Sequence, residues 1–205
     1  MNQILLSTAY LPPIDYIKSI LSSDGIVIEA HENYQKRTYR NRAVIQAANG
    51  PLTLSIPVNK QLGNHTPIDK ITIEYLSNWQ HDHWQAIQSA YNKSPYFEYY
   101  SYLIEPFYKQ RWSTLFEYNT ELLKIILKIL SIDKPIFFSE NYQVKPAEIA
   151  DFRDLSEKHK TGKTIIPILP YPQVFDYKHP FEGKISILDT LFNLGPDTKS
   201  YLQRL

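Results

Sequence analysis

The chain has 205 residues, of which 43% are hydrophobic and 21% are charged, a balance typical of a folded globular protein and unlike that of a disordered one. Its 22 lysines and arginines nearly equal its 21 aspartates and glutamates, and a net charge of +1 disfavours nucleic acid or an anionic membrane as a partner of the whole surface. The absence of cysteine excludes disulfides, thiolate catalysis and cysteine-ligated zinc.

The length favours a single domain over residues 1–205. The start of the sequence lacks the cationic stretch and long apolar run of a secretory signal, and its first basic residue is Lys18. No window approaches the roughly 20 apolar residues of a membrane-spanning helix. We therefore expect a cytoplasmic protein without a membrane span.

The N-terminal part of the chain predicts a βαβ unit. Residues 3–9 form a short apolar run typical of a buried strand, and Pro12-Pro13 interrupt it. Apolar residues at helical spacing predict a helix over residues 14–22, and residues 26–28 predict a second strand after Asp24-Gly25. A strand, a helix and a strand within thirty residues favour parallel pairing.

The middle of the chain predicts antiparallel sheet. Residues 44–48 and 52–58 read as strands, and Asn49-Gly50 between them is a strong hairpin signal. Alternating apolar and polar residues predict another strand over residues 68–75.

Two longer helices are predicted next, one from Trp79 to Ser94-Pro95 and one over residues 106–130. A strand is expected at 136–138, followed by a polar and mobile segment at 141–163 with a helical turn near 151–155 and an extended stretch at 167–172. A short helix is expected from Ser186, its N-cap, to Gly195, with Asp189 at the position where a capping box would use Glu or Gln.

The predicted fold class is α/β (α+β). An N-terminal βαβ unit leads into a mixed sheet with a β-hairpin, which packs against two longer helices and a short C-terminal helix.

The most basic stretch is KRTYRNR, at residues 36–42. If a strand begins near Arg40, alternation places Arg40 and Arg42 on one face, where two guanidinium groups could hold a phosphate together with Arg37 and Lys36. The alternative is an exposed edge strand guarded by charge.

His83 is the candidate acid–base residue, because it lies on the apolar face of the first long helix and imidazole titrates near neutral pH. His81 cannot share a metal ion with it, since helix positions two apart point in nearly opposite directions. The alternative for His83 is a hydrogen-bonded core residue.

Other polar residues give weaker signals. Asp24 and Glu29 flank the second strand, where ligands gather in α/β sheets, although carboxylates at strand ends are also ordinary turn formers. Asn119 lies on the inward face of the second long helix, where we expect a structural role. None of the six glycines falls in a phosphate-binding GxGxxG or GxxxxGK pattern.

Six stretches occur in the order found in the WbqC-like protein family: YLPPIDY (10–16), SDGIVIE (23–29), YQKRTYRNRAVI (34–45), LTLSIPV (52–58), the Trp79/His83/Ile87/Tyr91 ladder with PYF (95–97), and YPQVF (171–175) with SILDTLFNLGP (186–196). The chain resembles this family over nearly its whole length. Some members lie in gene clusters for O-antigen or other surface polysaccharides, so the resemblance implies a role in transferring an acyl or similar group to a sugar.

The resemblance carries over six polar positions: Tyr10, Asp24, Lys36, Asn41, Arg42 and His83. One motif differs, because many members have His-Gln-Pro before the tyrosine that matches Tyr10, whereas residues 6–8 here are Leu-Ser-Thr, and Asp15 stands where a glycine is usual. A catalytic role that depends on that histidine cannot apply to this chain.

These observations predict a transferase that acts on a phosphate-bearing sugar or acyl donor. The arginines and Lys36 would hold the phosphates with Asn41, His83 would be the base with Asp24 as a second catalytic candidate, and Tyr10 and Tyr16 would stack on the sugar or base. No metal or other cofactor is expected. The alternative is a non-catalytic ligand-binding or accessory protein that keeps the fold without the chemistry.

Overall fold

The first three elements form the predicted βαβ unit. A computed structural model of the chain describes residues 2–60, 63–157 and 167–205. Strand β1 (Gln3–Ser7) pairs in parallel with strand β2 (Gly25–Glu29), with Gln3 opposite Gly25 and Ser7 opposite Glu29. Helix α1 (Ile14–Leu21) connects the two strands, and Pro13 precedes its first turn, where a missing N–H costs no hydrogen bond.

The remaining strands are β3 (Arg42–Ala47), β4 (Gly50–Ser55), β5 (Val58–Asn59), β6 (Thr72–Ile73), β7 (Ile136–Phe138) and β8 (Ala150–Asp151). The remaining α-helices are α2 (Trp79–Tyr91), α3 (Phe97–Ile104), α4 (Leu115–Ile129), α5 (Ile187–Leu194) and α6 (Thr198–Arg204). Short 3-10 turns cover Gly63–His65, Ile68–Lys70, Glu105–Tyr108, Arg153–Ser156 and Gly195–Asp197.

The main sheet is parallel and has the order β7-β2-β1-β8. Residues alternate between its faces, so one face presents Ile4 and Leu6 from β1 together with Ile26 and Ile28 from β2 to the hydrophobic core. Helix α1 buries its apolar stripe in the same core. The mixed α/β class predicted from the sequence is confirmed.

The hairpin is also confirmed, with an altered register. Strands β3 and β4 pair antiparallel, with Arg42 opposite Ser55 and Ala47 opposite Gly50, so the two-residue turn is Ala48-Asn49. Gly50 has a φ of 105°, which is strained for any residue with a side chain. The predicted strand at 68–75 is only β6, because Ile68–Lys70 forms a 3-10 turn.

The second long helix is shorter than predicted. The stretch expected to be one helix from 106 to 130 is divided into the Glu105–Tyr108 turn and α4. The hydroxyl of Tyr75 accepts from the backbone N–H of Trp112 at 2.7 Å and donates to its carbonyl at 3.1 Å, and Thr114 caps α4 by accepting from the N–H of Glu117. A tertiary anchor and a local cap therefore set the start of α4.

Helix α5 begins and ends as predicted, and Asp189, at the capping-box position, has a different role. Ser186 accepts from the N–H of Leu188 at the start of α5, and Gly195 ends the helix with a φ of 54°. The Asp189 carboxylate is buried and accepts from the Tyr171 hydroxyl and the Gln173 side-chain amide, and burial raises its pKa to about 6. Helices α3 and α6 were not predicted.

Within residues 2–60, 63–157 and 167–205, none of the helices has both the length and the apolar character needed to span a bilayer.

Gly195 offers a test of the C-terminal packing. A Cβ at this position would overlap the Tyr96 ring and would also occupy a backbone conformation with positive φ. We expect Gly195→Ala to lower the free energy of unfolding by about 2–4 kcal/mol. Gly50→Ala is the matched control, since its φ is also positive but its Cβ would meet open space, and we expect a loss of about 1–2 kcal/mol. Urea denaturation measures both, and equal losses would contradict the packing role of Gly195.

Candidate functional site

The parallel strands end at a common edge that carries most of the buried charge of the described chain. Strand β1 ends at Ser7, β2 at Glu29 and β8 at Asp151, and Ser139 directly follows β7. The carboxyl ends of parallel strands are where α/β sheets bind ligands. We refer to this region as the carboxyl edge.

A buried ion pair between Glu32 and Arg40 lies at the carboxyl edge. Arg40 is 1% exposed, and it donates from Nε to Glu32 Oε1 at 2.8 Å and from Nη2 to Glu32 Oε2 at 2.6 Å. Ser7 Oγ accepts from Arg40 Nη2 at 2.8 Å and donates to Glu32 Oε2 at 3.0 Å. This forked geometry is the strongest form of an arginine–carboxylate contact.

Hydrogen bonds from neighbouring elements fix the turn that contains Arg40 and the end of β1. Asn119 in α4 donates its side-chain amide to the Arg40 carbonyl at 2.8 Å, which accounts for an asparagine on the inward face of that helix. The carbonyl of Ser7 accepts from the hydroxyls of Tyr16 at 2.9 Å and Ser156 at 3.2 Å. Strand β1, helix α4 and the turn at 153–156 therefore all form hydrogen bonds to Ser7 or Arg40.

A second ion network, centred on Arg153, lies beside the first. Arg153 donates to Asp151 through Nε at 2.9 Å and Nη2 at 2.6 Å, and through Nη1 to Glu29 Oε2 at 3.3 Å. Burial alone would raise the pKa of Asp151, but the hydrogen bonds from Arg153 outweigh it and the pKa lies below its ordinary value. The bonds to Asp151 raise the pKa of Arg153. Glu29 also accepts from Ser139 Oγ at 2.6 Å and from the N–H of His31.

Two adjoining hollows open beside these networks, and together we call them the edge cleft. One has a volume of about 370 Å³ and is lined by Glu32, Gln35, Arg40, Tyr142, Asp151, Arg153, Asp154 and Glu157. The other has a volume of about 510 Å³ and is lined by His31, Glu32, Asn33, Tyr34, Gln35, Lys36 and Tyr142. Glu32, Gln35 and Tyr142 line both, so the two hollows adjoin. The first is rich in carboxylates, and the second carries Lys36 and His31.

One donor in the edge cleft has no acceptor. Nη1 of Arg40 is buried and makes no hydrogen bond, although the rest of the guanidinium group is fully used. An unpaired buried donor on a charged group costs about 1–3 kcal/mol or more. Arg40 lines the first hollow, so a ligand that entered there and displaced the atoms covering Nη1 would supply the missing acceptor.

His83 and Tyr10 lie away from the edge cleft, inside a cluster of aromatic rings. Nε2 of His83 accepts from the backbone N–H of Ser55 at 3.1 Å, so the neutral ring carries its proton on Nδ1 and donates to the Tyr10 hydroxyl at 2.9 Å. Tyr10 in turn bonds to the Tyr108 hydroxyl at 2.8 Å. Burial lowers the pKa of His83 to about 4, and Trp79 packs edge-on against the imidazole.

The other predicted residues lie at separate places. Arg42 begins β3, two residues before the strand predicted at 44–48, so Arg40 lies outside the strand, and the Nε of Arg42 is buried without a partner. Asn41 donates to the Ile56 carbonyl at 2.8 Å, and Arg37 is exposed with a φ of 62°. Asp24 precedes β2, at the opposite end of the sheet, and accepts from the N–H of Asn2. Tyr16 is fully buried, and burial raises its pKa.

The structure thus brings Arg40 and Lys36 together at the edge cleft, but not Arg37, Arg42, Asn41, Asp24, Tyr10, Tyr16 or His83. The catalytic and binding roles assigned to these residues stay predictions. The sequence does not predict Arg153, Asp151 and Tyr142 as site residues, because they fall in the segment at 141–163 that is expected to be polar and mobile. The only signal there was an Asp-Phe-Arg triplet beside an expected helical turn.

The chain is similar in sequence to one known protein family and to one uncharacterised relative. The model of the WbqC-like protein family matches residues 8–168. The chain belongs to the WbqC-like family. A relative in Mycobacterium tuberculosis, uncharacterized protein Rv1507c, is 24% identical over 223 aligned residues, which cover 97% of this chain and 96% of the relative. No solved structure matches the chain.

The described part of this WbqC-like chain contains no group of three or more histidine, aspartate or glutamate side chains arranged to hold a metal ion. At the carboxyl edge, Glu32 is instead paired with Arg40, and Glu29 and Asp151 share Arg153.

The Glu32–Arg40 pair can be tested by a double-mutant cycle. We expect Arg40→Met to lower the free energy of unfolding by about 3–5 kcal/mol, because it leaves the Glu32 carboxylate buried without a counter-charge. Arg40→Met combined with Glu32→Leu should cost less than Arg40→Met alone, since no isolated charge then remains. Urea denaturation of the four proteins measures the coupling. Additive losses would show that the two side chains do not interact.

The buried imidazole predicts a pH dependence. We expect His83 to titrate near pH 4 in the folded protein, whereas an unfolded chain takes up this proton near pH 6.5. Because protonation favours the unfolded chain, stability is full above about pH 6.5 and is lost as the pH falls toward 4. Histidine NMR signals followed from pH 3.5 to 8 measure this, and His83→Gln identifies the resonance. A titration above pH 6 would contradict the buried, doubly bonded ring.

Proposed function

We propose that this WbqC-like protein binds a phosphate-bearing sugar or acyl donor in the edge cleft and transfers a group from it during the synthesis of a surface polysaccharide. The observation that carries the proposal is that Arg40 lines the cleft while its buried Nη1 has no hydrogen-bond partner. The family resemblance supports the choice of pathway.

The charges of the cleft suit the two ends of such a donor. Lys36 and His31 line one hollow and can attract phosphate oxygens. Asp154 and Glu157 line the other, where carboxylates accept hydrogen bonds from sugar hydroxyls while Arg40 donates to a ligand oxygen. The Tyr142 ring, 49% exposed, borders both hollows and offers an apolar face for a sugar ring.

The base in this proposal is a carboxylate of the cleft. Both ring nitrogens of His83 are bonded inside the protein, so the imidazole has no free nitrogen for a substrate hydroxyl. Asp154 and Glu157 lie in the cleft wall, where either could take the proton of an attacking hydroxyl group. The proposal places the protein in the cytoplasm, in keeping with its cysteine-free sequence.

A second candidate function is ligand binding without transfer. It is favoured by residues 6–8, which are Leu-Ser-Thr where many members carry His-Gln-Pro. Ser7, the middle of the three, is buried and fully engaged in the Glu32–Arg40 network, so it offers no reactive group to a ligand.

Thermal shift against a panel of nucleotide sugars, acyl-CoA thioesters, free sugars and inorganic phosphate tests the binding. A donor at 100 times its dissociation constant should stabilise the protein by about 2.7 kcal/mol. We expect Tyr142→Ala and Lys36→Ala to weaken that response, because both residues line the cleft and have exposed side chains. Tyr99→Ala and Lys70→Ala are matched controls with exposed side chains outside the cleft.

The outcomes separate the two candidate functions. Equal responses in wild type and the cleft variants, or no response to any phosphate-bearing compound, would contradict the proposed site. If binding is found, release of the donor's leaving group in the presence of sugar acceptors measures transfer. We expect Asp154→Asn or Glu157→Gln to abolish release while retaining the thermal shift. A donor that binds and is never consumed would support ligand binding alone.

A further inference from the structure

We propose that two copies of this chain associate through their β7 strands, in antiparallel pairing about a two-fold axis at Phe137, to form a continuous eight-stranded sheet. The proposal is independent of the edge cleft. It follows from the hydrogen-bonding pattern of β7, the apolar side chains on it and the charges on α4.

Strand β7 is an outer strand with backbone groups that point away from the sheet. Pro135 accepts from the N–H of Ile26, and Ser139 donates to the carbonyl of Ile28. Because alternate residues of a strand face the same neighbour, Phe137 also bonds to β2, while Ile136 and Phe138 direct their N–H and C=O groups outward. Among the described residues, no strand pairs with this side of β7.

The exposed side chains of β7 are unusual for an unpaired edge. Phe137 is 48% exposed and Phe138 is 47% exposed, and the strand contains no charged residue. Natural proteins guard such edges with charge, proline or a covering element, because an open apolar edge pairs with other chains. A specific partner strand would remove this liability.

The two-fold pairing satisfies the outward backbone groups. With Phe137 opposite Phe137 of the second copy, Ile136 lies opposite Phe138 in both directions. Both of these are pairs whose N–H and C=O groups face each other, so four backbone hydrogen bonds form. The central Phe137 pair is of the non-hydrogen-bonded kind, in which side chains approach most closely and aromatic pairs are favourable.

A groove beside β7 fits the second copy's Phe138. The groove has a volume of about 420 Å³ and an apolar part made by Leu127, Ile132 and Ile136. In the proposed register the Phe138 ring of the second copy stands opposite Ile136 on the same face of the sheet, against this groove. Phe138 already contacts Phe116 of its own α4, so the ring would join the two helices.

Charge complementarity between the two α4 helices argues for a second copy rather than another partner. Glu117, Glu121, Lys124 and Lys128 follow spacings of four, three and four and form one stripe, acidic near the start of the helix and basic near its end. Lys124 and Lys128 line the groove at the β7 edge, which places the stripe on this side.

The direction of α4 makes the stripe self-complementary. The start of the helix lies at Phe138, where Phe116 contacts it, and its last turns lie at Ile136, so α4 runs antiparallel to β7. The two-fold axis therefore sets two α4 helices antiparallel, with the acidic half of each beside the basic half of the other. The register also sets Lys134 opposite Glu140 of the second copy.

The dimer can be tested with charge-swapped variants. Sedimentation of the wild-type protein at micromolar concentration should give twice the monomer mass of 24.0 kDa. Glu117→Lys with Glu121→Lys, and Lys124→Glu with Lys128→Glu, should each give monomers, because each makes the stripe uniform in charge. An equimolar mixture of the two variants should restore a dimer. A monomeric wild type, or a mixture that stays monomeric, would overturn the proposal.

Cross-linking tests the register without disturbing the charges. The chain has no cysteine, so Phe137→Cys introduces a single thiol. Its Cα should lie about 4.5 Å from its symmetry mate, within the range that a disulfide spans. We expect oxidised glutathione to link Phe137→Cys into a covalent dimer, whereas Tyr99→Cys, an exposed aromatic position on α3, should stay monomeric. Equal cross-linking of the two variants would overturn the register, and circular dichroism confirms that each variant is folded.

Discussion

The buried ion pair between Glu32 and Arg40 is the contact on which the arrangement of the carboxyl edge depends. It joins the loop after β2 to the turn before β3, and Ser7, at the end of β1, bridges both side chains. Asn119 fixes the same turn from α4. Two charges withdrawn from water cost several kcal/mol each, so they persist only because every bond in the pair is well formed. The exception is the buried Nη1 of Arg40, which has no hydrogen-bond partner.

The large number of tyrosines has a structural explanation at several positions. Tyr108, Tyr10 and His83 form a chain of hydrogen bonds through the aromatic core that ends on the backbone N–H of Ser55. Burial raises the pKa of Tyr10 and lowers that of His83, which keeps both rings neutral. Neutral, bonded rings add rigidity to the core and are withdrawn from solvent.

The two proposed surfaces lie at opposite sides of the parallel sheet. Asp151 in β8 lines the edge cleft, whereas β7 is the outer strand on the far side, and the order β7-β2-β1-β8 separates them by two strands. Pairing through β7 therefore leaves the cleft open to a ligand. Tyr142 lies in the segment between β7 and β8 and lines the cleft.

The sequence by itself determined the elements whose signals are local: the βαβ start, the hairpin, the core of the two long helices and the caps of α5, because periodicity, turn residues and capping act between neighbours. Only the tertiary structure decided the rest. The hydrogen bond from Trp112 to Tyr75 sets a later start for α4 than the sequence predicts. Arg40, which the spacing of the arginines predicts as a phosphate ligand, is instead paired with Glu32. Arg153 and Asp151 lie at the site because β8 pairs with β1, and the sequence does not predict this pairing, since contacts between residues distant in sequence leave no periodic signal.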